Sequence, residues 1–185
     1  MNNLGTMYAQ GKAVSRNYPL ARLWYRRSAA LGDARAMYNM GLLYEFGRGT
    51  PISDTEAADW YRQAAQRGLL DGMNALAWVL STTPDAALRD GHAALRWANA
   101  ALNQKVNSKT LGVIAAAHAE LGEYRQAVVA IDRAIEQLKR EVEGATAQSS
   151  DRDLFGLLRL QGRVDDVYKK LERQEYYRNG QPTRD

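Results

Sequence analysis

The sequence overlays itself when slid by 36 residues. Gly5 falls on Gly41, Tyr8 on Tyr44, Gly11 on Gly47 and Ala21 on Ala57; Trp24-Tyr25 falls on Trp60-Tyr61, Ala29 on Ala65 and Gly32 on Gly68. The chain has only four tryptophans, so their coincidence at one offset does not come from composition. A third copy is fainter but in register: Met37 maps to Met73, Met40 to Leu76, Gly41 to Ala77, Tyr44 to Leu80, Ala57 to Ala93 and Tyr61 to Trp97. A period of this length means one supersecondary unit per copy. Each unit buries its apolar face against its neighbours and not in a single central core.

Within each copy the apolar spacing predicts two helices. Met37, Met40, Gly41 and Tyr44 stand at i, i+3, i+4 and i+7, one stripe of a helix. Ala57, Tyr61, Ala64 and Ala65 form the matching stripe of a second helix. A helical glycine at 41 costs about 1 kcal/mol against alanine. Close approach of a neighbouring helix would offset that cost, and the small residues around Tyr61 permit it. Gly47-Arg48-Gly49-Thr50-Pro51 breaks the chain between the helices. Ser53 is placed to cap the second helix, with Glu56 three residues on as its capping-box partner. Gly32 and Gly68 fall where a helix C-terminal glycine is expected.

These residues carry a resemblance. Gly41, Tyr44 and Gly47, followed by Ala57, Trp60-Tyr61, Ala64-Ala65 and Gly68, are similar to the Sel1-like repeat, a sister of the tetratricopeptide repeat. The first copy departs by Ser28 in an alanine position. The later spacing shortens: Gly41 to Ala57 spans 16 residues, but the fourth unit's equivalent pair, Ala115 to Ala127, spans 12. That unit, with Leu111, Ile114, Ala115 and His118 and then Ala127, Ile131 and Ala134, resembles a tetratricopeptide repeat. The resemblance implies an all-α, right-handed α-α superhelical solenoid over residues 1–142, in units of about 1–32, 33–68, 69–105 and 106–142. Residues 143–152 read as a small, polar linker. Residues 153–185, with Leu154, Leu157, Leu158, Val164, Val167 and Leu171, read as a C-terminal helical cap and tail.

Little in the chain suggests chemistry. There is no cysteine, which excludes disulfides, thiolate metal sites and a cysteine nucleophile. The two histidines, His92 and His118, fall on different predicted helices, and His118 sits at a packing position usually held by tyrosine. Gly5 to Gly11-Lys12 fails as a phosphate loop, because five residues separate the glycines and Ala13 replaces the hydroxyl residue. No catalytic residue, metal ligand or cofactor is expected. Net charge is +4, from 25 basic against 21 acidic residues, interleaved rather than clustered, so a nucleic-acid partner is not expected. No apolar run is long enough to cross a membrane as a helix. Met1-Asn2-Asn3-Leu4-Gly5 lacks the features of a signal peptide. The cytoplasm is then the default compartment, with the periplasm open should further residues precede Met1; oligomeric state, monomer or dimer, is undefined.

The resemblance also implies where a partner binds: the first helix of each pair lines the concave surface. The stripe beside the packing residues is Arg35, Tyr38, Leu42 and Glu45 in the second unit, Asn74 and Trp78 in the third, and Lys109 in the fourth. An aromatic anchor with polar neighbours suits a peptide or helix. Trp24 and Trp60 recur at one repeat position, which points to scaffold packing. The expected function is a non-enzymatic scaffold for a partner protein or peptide. The alternatives are an enzyme of the cysteine-rich Sel1-type β-lactam-binding class, disfavoured by the missing cysteines, and a weak nucleic-acid binder.

Overall fold

The computed structural model describes residues 1–143, and every structural statement below concerns those residues. They form helices only: α1 (Asn2–Gln10), α2 (Tyr18–Ala30), α3 (Ala34–Glu45), α4 (Asp54–Gln66), α5 (Leu70–Thr82), α6 (Gly91–Gln104), α7 (Ser108–Glu120) and α8 (Tyr124–Glu143). From α1 to α5, and again from α6 to α8, each helix packs mainly on the next in sequence. The chain divides into two compact units, Met1–Asp90 and the part from Gly91 on. The expected linker beyond Glu143 and the expected cap at 153–185 lie outside the described residues.

The helix ends follow from their chemistry. The Ser53 hydroxyl accepts from the Glu56 N–H at 3.2 Å, as a cap should. The capping box is half formed, because the Ser53 N–H donates to the Tyr44 carbonyl at 3.1 Å and so is not available to Glu56. Asp33 caps α3, accepting from the N–H groups of Arg35 at 2.9 Å and Ala36 at 3.2 Å. Its second oxygen accepts from the Ser28 hydroxyl at 2.9 Å, which accounts for a serine where the second copy has alanine. Gly32 and Gly68 end α2 and α4 with φ of 88° and 80°. In both motifs the following N–H reaches back to the third-last helical carbonyl, Asp33 to Ser28 and Leu69 to Ala64. The connections keep the predicted spacing: 46–53 joins α3 to α4 and 83–90 joins α5 to α6, but only 121–123 joins α7 to α8.

The core repeats with the sequence. Met37, Met40 and Gly41 of α3 are buried, as are Ala57, Tyr61, Ala64 and Ala65 of α4. Gly41 takes the Tyr61 ring edge so closely that a Cβ there would stand 2.3 Å from a ring carbon. Gly5 does the same for Tyr25, at 2.6 Å. One interlock thus occurs twice, once per copy. The ring supplies apolar area and the glycine removes the atom that would hold the helices apart. Gly5 is therefore a packing residue and no part of a phosphate loop.

Candidate partner-binding face

In the first unit, α1, α3 and α5 are the first helices of their pairs. Asn39 of α3 donates through Nδ2 to Asn2 Oδ1 of α1 at 2.9 Å, joining neighbouring first helices directly. On α3 the stripe beside the packed one holds Arg35, which is exposed, and Tyr38, Leu42 and Glu45, which are partly buried. On α5 the open stripe is Asp71, Ala75, Trp78 and Thr82, at i, i+4, i+7 and i+11.

Tyr38 lies at the centre of this arrangement. Its ring packs against the Tyr61 ring, with centroids 5.5 Å apart and planes tilted by 37°. Burial pushes the Tyr38 hydroxyl up to a pKa of about 12, with the charges of Asp71 and Glu45 adding to the shift. Both carboxylates therefore face it, one from α5 and one from α3. Glu45 also accepts a hydrogen bond from the Tyr61 hydroxyl. Burial, then the Glu45 charge, raises the pKa of Tyr61 as well. The result is an aromatic ring packed on Tyr61, with two carboxylates near it and Leu42 on the same helical stripe.

The structure corrects one member of the expected groove. Asn74 is 1 % exposed and belongs to the core. Eight residues of α5 are buried, including Gly72, Met73 and Ser81, so its open stripe is narrow and passes through Ala75. Lys109 is exposed on α7, in the second unit. His118 is partly buried, its Nδ1 2.6 Å from Glu123 Oε2 in the connection between α7 and α8; this pairing accounts for it without chemistry. Trp24 and Trp60 are both partly buried. Trp60 packs on the core of the first unit, and the Arg27 guanidinium lies over the Trp24 ring at 5.2 Å. Among the described residues no group of histidines and carboxylates is placed to hold a metal ion, and no helix is long and apolar enough to cross a membrane.

The helix pairs, their loop lengths and the repeated glycine–tyrosine interlock define an α-helical repeat protein. The comparisons give the family. The model of the Sel1 repeat matches residues 1–33, 34–69 and 71–106, over half of the chain, and the chain belongs to the Sel1 repeat family. Repeats of this kind generally serve as protein-interaction scaffolds. No curated protein sequence matches the chain. Among solved structures it is similar to a protective antigen of uropathogenic Escherichia coli displaying an SLR fold, with a TM-score of 0.64 at 20% identity. That match covers 98% of this chain and 42% of the antigen, so the chain spans less than half of that protein's length. It is similar also to a Sel1 repeat protein from Oxalobacter formigenes, with a TM-score of 0.56 at 22% identity, over 90% of this chain and 71% of that one. At these identities the likeness is one of fold.

Proposed function

We propose that this chain is a non-enzymatic scaffold and that it holds a protein or peptide partner on the first-helix face of α3 and α5, through Tyr38, Leu42 and Trp78, with Arg35, Glu45 and Asp71 setting polarity. The observation that carries this reading is Tyr38, an aromatic ring packed on the buried Tyr61 ring yet partly open to solvent. Rigid aromatics cost little entropy on binding and supply most of the energy at interface hot spots. Lys109 is proposed as a further contact in the second unit. The anionic edge made by Glu45 and Asp71 favours a partner with a basic residue beside its apolar anchor.

The test is affinity capture from the source organism's lysate with wild type beside Trp78→Ala, together with circular dichroism of both. Trp78→Ala is expected to lose the captured partner while keeping wild-type helicity. An identical set of captured proteins from both would remove the face from consideration. Loss of helicity would show that Trp78 belongs to the core. Capture that collapses with salt and follows added nucleic acid would favour the nucleic-acid reading.

A further inference from the structure

The second unit holds a cleft of ≈ 430 Å³ between α6 and α8, with α7 as its floor. Leu102 of α6, Leu111 and Ile114 of α7 and Val129 of α8 line it with apolar surface, and Arg125 and Arg133 of α8 stand at its edge. Val129 is 54% exposed, so one wall of the cleft offers a branched apolar side chain to solvent. Both arginines are exposed, and among the described residues neither forms an ion pair. Two carboxylates of this region are engaged elsewhere: Glu123 pairs with His118, and Glu136 with Arg140.

The repeat supplies an internal control. Ala127 of α8 corresponds to Ala57 of α4, so Arg125, Val129 and Arg133 correspond to Thr55, Asp59 and Gln63. The outward face of a second helix therefore folds without this Arg-Val-Arg stripe. Two unpaired guanidiniums over an apolar trough match an anion that carries a hydrophobic body. Guanidinium is suited to a carboxylate, which it can meet with two parallel hydrogen bonds. The volume falls within the range of small-molecule sites, about 300–1,000 Å³.

We propose that this cleft binds a small amphipathic carboxylate. Arg125 and Arg133 stand two turns apart on α8, about 12 Å along its axis with Val129 midway; the carboxylate lies at one of them, and the hydrocarbon chain lies along Leu102, Leu111, Ile114 and Val129. The site is made by second-unit residues alone and is independent of the partner face on α3 and α5.

The experiment uses the full chain and anilinonaphthalene sulfonate as a fluorescent reporter, displaced by decanoate. Decanol serves as the uncharged comparison and a short acidic peptide as the macromolecular one. Decanoate is expected to displace the reporter at concentrations at least about tenfold below those of decanol. Arg125→Ala/Arg133→Ala is expected to remove that tenfold advantage. Val129→Glu, which puts a carboxylate on the apolar wall, is expected to abolish decanoate displacement, whereas Val129→Leu keeps it. Circular dichroism confirms that each variant is folded. Absent displacement by decanoate, equal potency of decanol, or unchanged affinity in the double arginine variant would each overturn the proposal. Displacement by the acidic peptide with none by decanoate would overturn it too, in favour of a docking surface for protein.

Discussion

Replacing Gly41 with alanine sets two known effects against each other. An alanine at a helical position gains about 1 kcal/mol of propensity over glycine. Here its Cβ would stand 2.3 Å and 2.5 Å from two ring carbons of Tyr61, where ordinary contact begins at 3.4 Å. The ring has no room to yield. Tyr61 is fully buried, its hydroxyl is held by Glu45, and Tyr38 packs against its ring. The remaining response is for α3 and α4 to separate, and overpacking of this kind costs about 1–3 kcal/mol, the larger figure where nothing can move. The net expectation is a loss of about 1–2 kcal/mol. Urea unfolding followed by circular dichroism measures it. Specificity comes from a double-mutant cycle with Tyr61→Leu, which removes the ring: in that background Gly41→Ala should be neutral or stabilising, giving a coupling of about 2 kcal/mol. If Gly41→Ala stabilises the wild type, or costs the same in both backgrounds, the interlock is not what places glycine at this position.

Two further outcomes follow from the helix ends and the buried tyrosines. Asp33→Ala removes the cap of α3 and leaves the buried Ser28 hydroxyl without its acceptor, so a loss of about 2–3 kcal/mol is expected, against less than about 1 kcal/mol for Asp33→Asn, both read by urea unfolding. Tyr38 carries a folded-state pKa of about 12, above its ordinary value of 10.0, so the unfolded chain loses this proton first; stability should hold below pH 10 and fall between pH 10 and 12, and Tyr38→Phe should make that fall shallower in melting temperatures across the range.

The helix pairs were legible because each stripe is stated more than once. Gly41 and Tyr61 share an offset with Gly5 and Tyr25, and a second copy of a pattern distinguishes packing from coincidence. The loops were legible for a similar reason, since the shortened spacing of the fourth unit is the short 121–123 connection. The misses concern contacts that no local pattern encodes. Asn74 reads as a groove residue by its i, i+4 spacing to Trp78, but α5 is buried over most of its circumference, and one position along the helix separates the open stripe from the core. Glu56 reads as a capping-box partner, yet the N–H it would need is taken by the carbonyl of Tyr44, nine positions upstream. The cleft in the second unit needs α6 and α8 side by side, an arrangement invisible until the helices are placed.

Comparing the two copies of the interlock also shows how the residues on the proposed partner face can change without disturbing the frame. In the first copy the buried Tyr25 hydroxyl donates to Thr6 at 3.2 Å, and Thr6 in turn donates to the Asn2 carbonyl. The equivalent of Thr6 in the second copy is Leu42, which cannot accept a hydrogen bond. Left alone, the Tyr61 hydroxyl would be buried without a partner, at a cost of about 1–3 kcal/mol. Glu45, one turn further along α3, takes the bond instead. That substitution releases position 42 from serving the tyrosine, so an apolar side chain can stand there, on the stripe that holds Tyr38. Glu45 then has two roles at once, satisfying a core hydroxyl and giving the face its charge. On the proposed partner face, a change at Glu45 is expected to disturb the core hydrogen bond and the face together, whereas Leu42, which no longer serves the tyrosine, is the position at which specificity for one partner over another is best sought.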